Sequence, residues 1–592
     1  NPGKRGSGAD RQNNRATNRK RRPRVRHPKS RRRYWKRLGG RLNESLPEQG
    51  GHVGHREGDS GKGLHSNAQI QDPPSQTPTE RARWRQETAS GFRAYFNSLY
   101  KWSQEGDGSQ EGSPKETIPG FRFCGTISHR FHAKTLQGSK WGEKLCQVYP
   151  VLAEKTAGFG WPQLGSKAER QSLNLQAGRR LERTQSALIP SQENRESVIE
   201  RTVQAYSSCY TEGPACTRDG KLTWESFQVD FKEAVMSLEL DAGIGLPYIA
   251  YGQPTHRGWV ENPDLLPILA QLAFDRAQKL SEVNFEGMSP EELVRQGLVD
   301  PIRLFIKKEP HKTAKLIEGR YRLIMSVSLV DQIIARILFQ NQNKREICLW
   351  RAVPSKPGFG LSTDEQISEF VNNLAQTCGV SAEEVITSWQ KYVLPTDCSG
   401  FDWSVSQWML EDELEVRNRL TLDLTPLCAR LRKAWLYCLG HSVFALTDGT
   451  LLAQELPGVQ KSGSYNTSSS NSRIRVMAAF HAGASWAMAM GDDALESPDG
   501  DLSIYKQLGF KVEVGEQLEF CSHVFKAPNL AIPVNFGKML YRLIHSYEPE
   551  CGNLEVLRCY LQALHSVLYE IRHDPDQVSE LLSQLSPSVV AN

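Results

Sequence analysis

No stretch of this 592-residue sequence approaches the roughly 20 apolar residues that a membrane-spanning helix needs. No signal peptide opens it, and the first residue is Asn1 rather than Met, so a product or fragment of a longer precursor is expected. The twelve cysteines, from Cys124 to Cys559, form no CxxC pair and have no histidine at zinc spacing. Cys209 and Cys216 are the closest two, and their separation fits neither a ribbon nor a finger. Reduced, mostly buried thiols follow from that. There is no GxSxG, no internal repeat and no coiled-coil heptad, which leaves serine-hydrolase, solenoid and rod readings without support. Acids are nearly missing from one region: residues 1 to 41 hold 17 Lys or Arg against the single acid Asp10. Removing that +16 from the overall +6 leaves −10 for the rest. The positive field is therefore confined to an arm, where it suits a polyanion such as RNA or an acidic membrane surface.

What is present changes along the chain. Up to about Pro119 the sequence is rich in Arg, Gly, Ser, Gln and Pro, too poor in apolar area to offset chain entropy, and is expected to be largely disordered. One island interrupts it, with Phe92, Tyr95, Phe96 and Leu99 on one helical face, able to dock on a folded body or a partner. From about Ile118 aromatic and aliphatic periodicity predicts an α+β body. Helices are expected over 263–279, with Asn262 as N-cap, and from Trp403 through Leu420. Near the end, Leu557, Leu561, Leu564, Leu568 and Ile571 form an apolar stripe. Asp574-Pro575 then opens a helix bearing Val578, Leu581, Leu582 and Leu585.

Three separated segments carry chemistry. In Leu394-Pro395-Thr396-Asp397-Cys398-Ser399-Gly400-Phe401-Asp402, a short apolar run puts Asp397 at a strand end and Asp402 on the turn into a helix. Ser462, Gly463, Thr467 and Asn471 give the spacing SGxxxTxxxN, read as a flexible glycine loop before a polar helix face that grips a sugar or phosphate. Residues 486 to 495 read as strand, tight turn and strand, with Gly491, Asp492 and Asp493 at the turn. Phosphoryl transfer from a nucleoside triphosphate calls for two divalent ions about 4 Å apart, and Mg²⁺ (or Mn²⁺) prefers hard carboxylate oxygens. Asp397 and Asp492 could meet across a small sheet to bridge both ions, with Asp493 auxiliary and the Cys398 carbonyl adding an oxygen. Each segment alone also reads as an ordinary turn or helix cap; it is their combination and order that argues for a site. A fourth segment supplies cations. Lys307 and Lys308 lie beside Glu309, and Arg320 and Arg322 alternate along a β-type run, as escorts for a triphosphate.

With these segments in view, the sequence resembles the polymerase family of positive-strand RNA viruses: Asp-x4-Asp as its motif A, SGxxxTxxxN as B and GDD as C. More narrowly it resembles the replicases of poleroviruses and enamoviruses, relatives of the sobemoviruses. The resemblance rests on LPTDCSGFDWSV at 394–405, PGVQKSGSYNTSSSNSRIRVMAAFHAGASWAMAMGDDALES at 457–497, FCSHVF at 520–525 and WGEKLCQVYPVLAEKTAGFGWPQLGSKAE at 141–169. It covers roughly residues 120–592. It implies a right hand: fingers over about 119–393, palm over about 394–530 with a finger insertion, and thumb over about 531–592. Composition alone puts a basic, largely disordered RNA-binding arm over 1–118 before it. The resemblance implies that Asp397 and Asp492, with Asp493 nearby, hold the catalytic metals. Asp402, Ser462 and Asn471, supported by Thr467, would read the ribose 2′-hydroxyl, and Lys307, Arg322 and Arg320 would escort the triphosphate. Lys511 is the candidate general acid for pyrophosphate departure, with Lys506 competing. FCSHVF resembles motif E, a primer grip, though Cys521 and His523 also fit an ordinary hairpin strand.

The resemblance further implies RNA template, nascent strand and NTPs as partners. It also implies a genome-linked protein and membrane-anchored components from the upstream part of a frameshifted polyprotein, and replication complexes on host cytoplasmic membranes. Reverse transcriptase shares the palm acids, but Asn471 and Asp402 fit 2′-hydroxyl selection and no RNase H-like acid cluster follows residue 497. A basic-armed RNA-binding or capsid protein fits the arm alone, having no reason to carry the four segments.

Overall fold

Alternation explains the larger of the sheets. In the strand Ile302–Ile306, Ile302, Leu304 and Ile306 are buried while Arg303 and Phe305 are partly exposed, the period of two that one covered face demands. The computed structural model describes residues 77–104, 117–128 and 139–587. The strongly basic stretch 1–41 lies outside them. The fold is mixed α/β. Six strands run in the order Tyr100–Trp102, Phe121–Ile127, Thr450–Gln454, Val443–Ala445, Ile302–Ile306 and Leu323–Ser326. All neighbours are antiparallel except the parallel pair formed by Val443–Ala445 and Ile302–Ile306.

A second, four-stranded antiparallel sheet holds Ala487–Met490, Asp493–Glu496, Leu394–Ser399 and Lys511–Val514, in that order. Its hairpin is covered on both faces. Ala487, Ala489 and Ala494 pack with Val476 and Phe480 of the helix Thr467–His481. Met488 and Leu495 point the other way, onto Phe370, Val371 and Leu374 of the helix Asp364–Cys378. Small residues on one face let the helix approach closely; large ones on the other fill the gap. A third sheet, of three strands, runs Glu519–Phe520, His523–Ala527, Leu530–Pro533.

Several sequence expectations shift. The folded body already includes the helix Pro78–Ser98, so the arm does not extend to residue 118. Thr77 and Glu80 form a capping box, Pro78 sits at the first turn, and Ala89, Phe92 and Phe96 are buried. Phe92 meets the rings of Tyr251 and Trp259, and Phe96 meets Tyr248. The regional composition concealed a local helical period whose two buried phenylalanines offset several residues' worth of ordering entropy, at roughly 1.5–3 kcal/mol each. The helix expected at 263–279 spans Leu266–Glu282. Asn262 caps the preceding turn instead, accepting from the amides of Asp264 and Leu265 at 2.9 and 3.4 Å. The stretch from Trp403 to Leu420 is two helices, Phe401–Ser404 and Gln407–Arg419, broken at extended Val405 and Ser406.

The C-terminal helices Phe536–His545, Leu554–Glu570 and Pro575–Leu585 share a core with Trp141, Leu145 and Leu152 from the helices Lys140–Val148 and Pro150–Lys155. Chain order is therefore a poor guide to this unit, which joins segments some 400 residues apart. Leu564, Leu568, Ile571, Leu581 and Leu585 face that core, but Leu561 and Leu582 are exposed. None of the twelve cysteines is in a disulfide. Among the described residues no helix is long and apolar enough to cross a membrane.

Candidate active site

The strand Leu394–Ser399 ends at Gly400, whose φ of +56° turns the chain into the short helix Phe401–Ser404. That left-handed turn is the step that sends Asp402 away from the strand and into a cleft of about 820 Å³. Asp492 reaches the same cleft from the turn of the neighbouring hairpin. Met490 pairs with Asp493, leaving Gly491 and Asp492 as a two-residue loop. Gly491 occupies its first central position at φ +61°, where a hairpin loop of this length accepts glycine readily.

The register between strands brings acids together. Asp397 lies directly opposite Asp493 on one side and opposite Glu513 on the other. Like charges directly across a sheet repel. Burial raises the Asp493 carboxyl well above its usual range, and the carboxylates of Asp397 and Asp492 raise it further; the amide of Cys521, donating at 2.8 Å, pulls the other way. Hard oxygen donors packed so that one resists ionisation are a set that a divalent cation would suit. Among the described residues no group of three or more His, Cys, Asp or Glu side chains is placed so as to hold a metal ion. Cys398, buried next to Asp397, pairs across the sheet with Val512.

The sugar-type residues also meet. Asn471, buried on the helix Thr467–His481, donates to Asp402 Oδ1 at 2.6 Å and accepts from Gln460 at 3.0 Å. Ser462 lines the cleft beside them, and its hydroxyl accepts from the amide of Met325 at 3.2 Å. Thr467 supports the loop, donating to the carbonyls of Lys461 and Ser464 at 2.7 and 2.9 Å. The glycine loop is closely packed, where the sequence reading expected a flexible one. A Cβ on Gly463 would come within 1.9 Å of the Met325 carbonyl oxygen, so glycine is there for close approach. Val459 is held at φ +66°, a strained setting for a β-branched residue. The buried Lys461 ammonium donates to Gln454 Oε1 and to the carbonyls of Gly458 and Val459.

The predicted cations Lys307, Arg320 and Arg322 line the same cleft. Arg320 and Arg322 stand just before the strand Leu323–Ser326 rather than within it, with buried Tyr321 between them. Glu309, deeply buried, gathers Arg322 at 3.1 Å, Lys307 at 3.3 Å and Lys538 at 3.6 Å. Burial alone would raise its carboxyl, but those three cations hold it well below the usual carboxylate range. Arg320 pairs with Glu318 at 3.2 Å. Besides Lys315, three further cations lining the cleft were missed from the sequence: Arg179, Arg180 and Arg183 on the helix Ser166–Gln185. Their spacing, with Gln176, of three, four and seven residues marks one helical face, the signal that would have found them. Arg183 donates to the Ser399 carbonyl at 2.6 Å and to Ser404 Oγ at 2.9 Å, bracing the Gly400 turn.

Lys511 and Lys506 both line the cleft, the first opening the strand Lys511–Val514 and the second on the helix Ser503–Leu508, so position does not separate them. Cys521 and Ser522 form a two-residue hairpin loop with both φ values positive, 53° and 61°. Besides Cys521's bond to Asp493, His523 Nε2 lies 3.2 Å from Glu570 Oε2 on a C-terminal helix. This hairpin thus links the acids to the C-terminal unit.

Known proteins are similar to this chain in sequence. The family model described as viral RNA-directed RNA-polymerase matches residues 142–536. Protein P1-P2 of Potato leafroll virus is 60% identical over 590 residues, 99% of this chain and 54% of that protein. Protein P1-P2 of Turnip yellows virus is 60% identical over 573 residues, 97% of this chain and 54% of its own length. The Replicase polyprotein P2AB of Southern cowpea mosaic virus is 38% identical over 460 residues, 74% of this chain and 44% of that polyprotein. The chain spans about half the length of the curated relatives it matches most fully.

Proposed function

The chain belongs to the viral RNA-directed RNA polymerases, and from that premise we propose that its cleft copies positive-strand viral RNA by template-directed nucleotidyl transfer from NTPs. The observation that carries this reading is the convergence on one cleft of Asp492, backed by the Asp397–Asp493 pair, and the cations Lys307 and Arg322. Acids and phosphate-binding groups in one cleft are what a triphosphate needs on entering a reaction centre.

In this reading Asp397, Asp492 and Asp493, with the Cys398 carbonyl, hold two Mg²⁺ (or Mn²⁺) ions. When bound, such ions activate a 3′-hydroxyl and stabilise the departing pyrophosphate. Lys307, Arg322 and Arg320 bind and orient the triphosphate, Arg322 through its two-pronged guanidinium. Asp402 and Asn471, with Ser462 and Thr467, hold the ribose by its 2′-hydroxyl. Lys511, or Lys506 in its place, delivers a proton to the leaving group. The four-stranded sheet acts as the palm. The C-terminal helices act as the thumb, and the six-stranded sheet with its helices as the fingers. RNA template and nascent strand are the macromolecular partners. A genome-linked protein and membrane-anchored components, encoded upstream in a polyprotein, complete a replication complex on cytoplasmic membranes.

The test is nucleotide incorporation by the purified chain on primed and unprimed RNA. Asp492→Asn is expected to lower turnover at least a hundredfold, with melting and RNA binding unchanged, since it removes one acid from a charge-neutralising set. A folded Asp492→Asn protein that keeps more than a tenth of wild-type turnover would overturn the assignment.

A further inference from the structure

One charged side chain on the helix Thr467–His481 reaches every segment that carries the acids. Arg475 is completely buried, and none of the sequence motifs accounts for it. Its Nε donates to the Asp492 carbonyl at 3.1 Å, and Nη1 donates to the Tyr505 hydroxyl at 2.7 Å. Nη2 donates to the hydroxyl of Thr396, the residue before Asp397. Glu496, equally buried, completes the cluster. It accepts from Tyr505 at 2.6 Å and from Thr396 at 3.3 Å, and lies 3.6 Å from Arg475 Nη1. Three residues earlier, on the same side of the helix, Ser472 Oγ accepts the Gly491 amide at 2.8 Å.

The Gly491-Asp492 loop is thus tied at its first amide by Ser472 and at its last carbonyl by Arg475. The same guanidinium grips the strand of Asp397. A two-residue loop has little means of fixing its own orientation, and a tilt of the loop would swing the Asp492 carboxylate relative to Asp397. A buried Arg–Glu pair is a poor device for stability, because apolar replacements of similar volume are often neutral or stabilising. A planar fork with donors in fixed directions is a good device for alignment, and lysine cannot reproduce it. Resting on the polymerase reading above, we infer that Arg475, assisted by Ser472, is a positioning residue that sets the spacing between the Asp397 strand and the Asp492 turn. Glu496 and Tyr505 in turn hold the guanidinium.

Misplacing a reacting group by about 1 Å costs on the order of a hundredfold in rate. Arg475→Lys, which keeps a cation near Glu496 but loses the fork, is expected to lower kcat for single-nucleotide incorporation ten- to a hundredfold. KM for the NTP should stay within twofold, because Lys307 and Arg322 are untouched. Since a lone buried Glu496 could unfold the protein, the companion variant is Arg475→Met combined with Glu496→Leu, which removes both charges together and should show the same loss. Ser472→Ala should give a smaller drop of the same kind.

Hydrogen–deuterium exchange on the same proteins is the readout that does not depend on turnover. Uptake should rise in peptides covering 487–496 and remain at wild-type levels in the six-stranded sheet and C-terminal helices. Turnover within twofold of wild type in both Arg475 variants would overturn the inference, as would exchange rising evenly across the body. A wild-type chain that incorporates nothing would sink the proposed function, while the exchange pattern would still decide whether Arg475 holds the turn.

Discussion

Asn471 uses both ends of its amide, donating to Asp402 at 2.6 Å and accepting from Gln460 at 3.0 Å. An amide oriented from two sides presents its remaining hydrogen in one direction, which is what discrimination of a hydroxyl requires. A deoxy sugar would leave buried polar groups unmatched, at roughly 1–3 kcal/mol. Asn471→Ala is therefore expected to narrow the rNTP-over-dNTP preference about tenfold while template affinity changes less; competition between labelled GTP and dGTP measures it. An unchanged ratio would mean Asn471 serves only to orient Asp402. At this scale the sequence marked Asp397, Asp402, Asn471 and Asp492 by residue type and spacing. The structure brings Asp402, Asn471 and Asp492 to one cleft and sets Asp397 on the strand beside it. Arg475 and Glu496 were not marked in this way, because nothing in the residues around either one says that they meet.

Among elements, the hairpin that carries Asp492 gains a further neighbour from an irregular segment. The amide of Ala489 donates to the Pro354 carbonyl at 3.0 Å, and the amide of Lys356 donates to the Ala489 carbonyl at 2.8 Å. This covers the Ala487–Met490 edge of the four-stranded sheet. Lys356 anchors the segment from within, its buried ammonium donating to the carbonyls of Trp350 and Val353 at 2.6 and 2.7 Å. Burial pulls this amine down from 10.5 to about 7. Between those two values the unfolded chain binds a proton that the folded chain does not, so the Lys356 contribution to stability grows as pH rises and is lost as pH falls through 7. Denaturant unfolding of wild type and Lys356→Met at pH 7, 8 and 9 should show wild type gaining on the variant by about 1.4 kcal/mol per pH unit. A difference independent of pH would place the amine in contact with water. The few helices expected from hydrophobic periodicity are present, but their ends moved wherever a turn competed, and helices such as Leu329–Cys348 were not foreseen. Asn262 capped a turn ahead of the helix, and Val405 left a helical run to bond Val459.

For the whole molecule, charge is the asymmetric quantity. Seventeen cations and one acid occupy residues 1–41, while the remainder carries −10. A polycation binds RNA mainly by releasing counterions, with affinity that falls steeply with salt and little sequence preference. The acids and the predicted phosphate escorts all lie beyond residue 300. Deleting residues 1–41 should leave incorporation on saturating template nearly unchanged, weaken binding of labelled single-stranded RNA, and flatten its salt slope. Equal affinities and slopes for the intact and shortened chains would show that the arm serves another end, such as an import signal at Arg19-Lys20-Arg21-Arg22.

Family membership was legible in the sequence alone, because three short segments in a fixed order carry the resemblance. The α+β class was equally legible, since periods of 2 and 3.6 are local properties of the backbone. What only the tertiary structure decided is who faces whom. Asp397 stands opposite Asp493 because of strand register, which depends on pairing partners some hundred residues apart. Lys538 shares Glu309 with Lys307 and Arg322, and Trp141 joins the C-terminal core, because packing brings distant segments together. Burial of Arg475 with Glu496 belongs to the same class. A charge in a sequence carries no record of its partner, and only the closed core, where an unpaired charge is too costly to keep, makes that partner necessary.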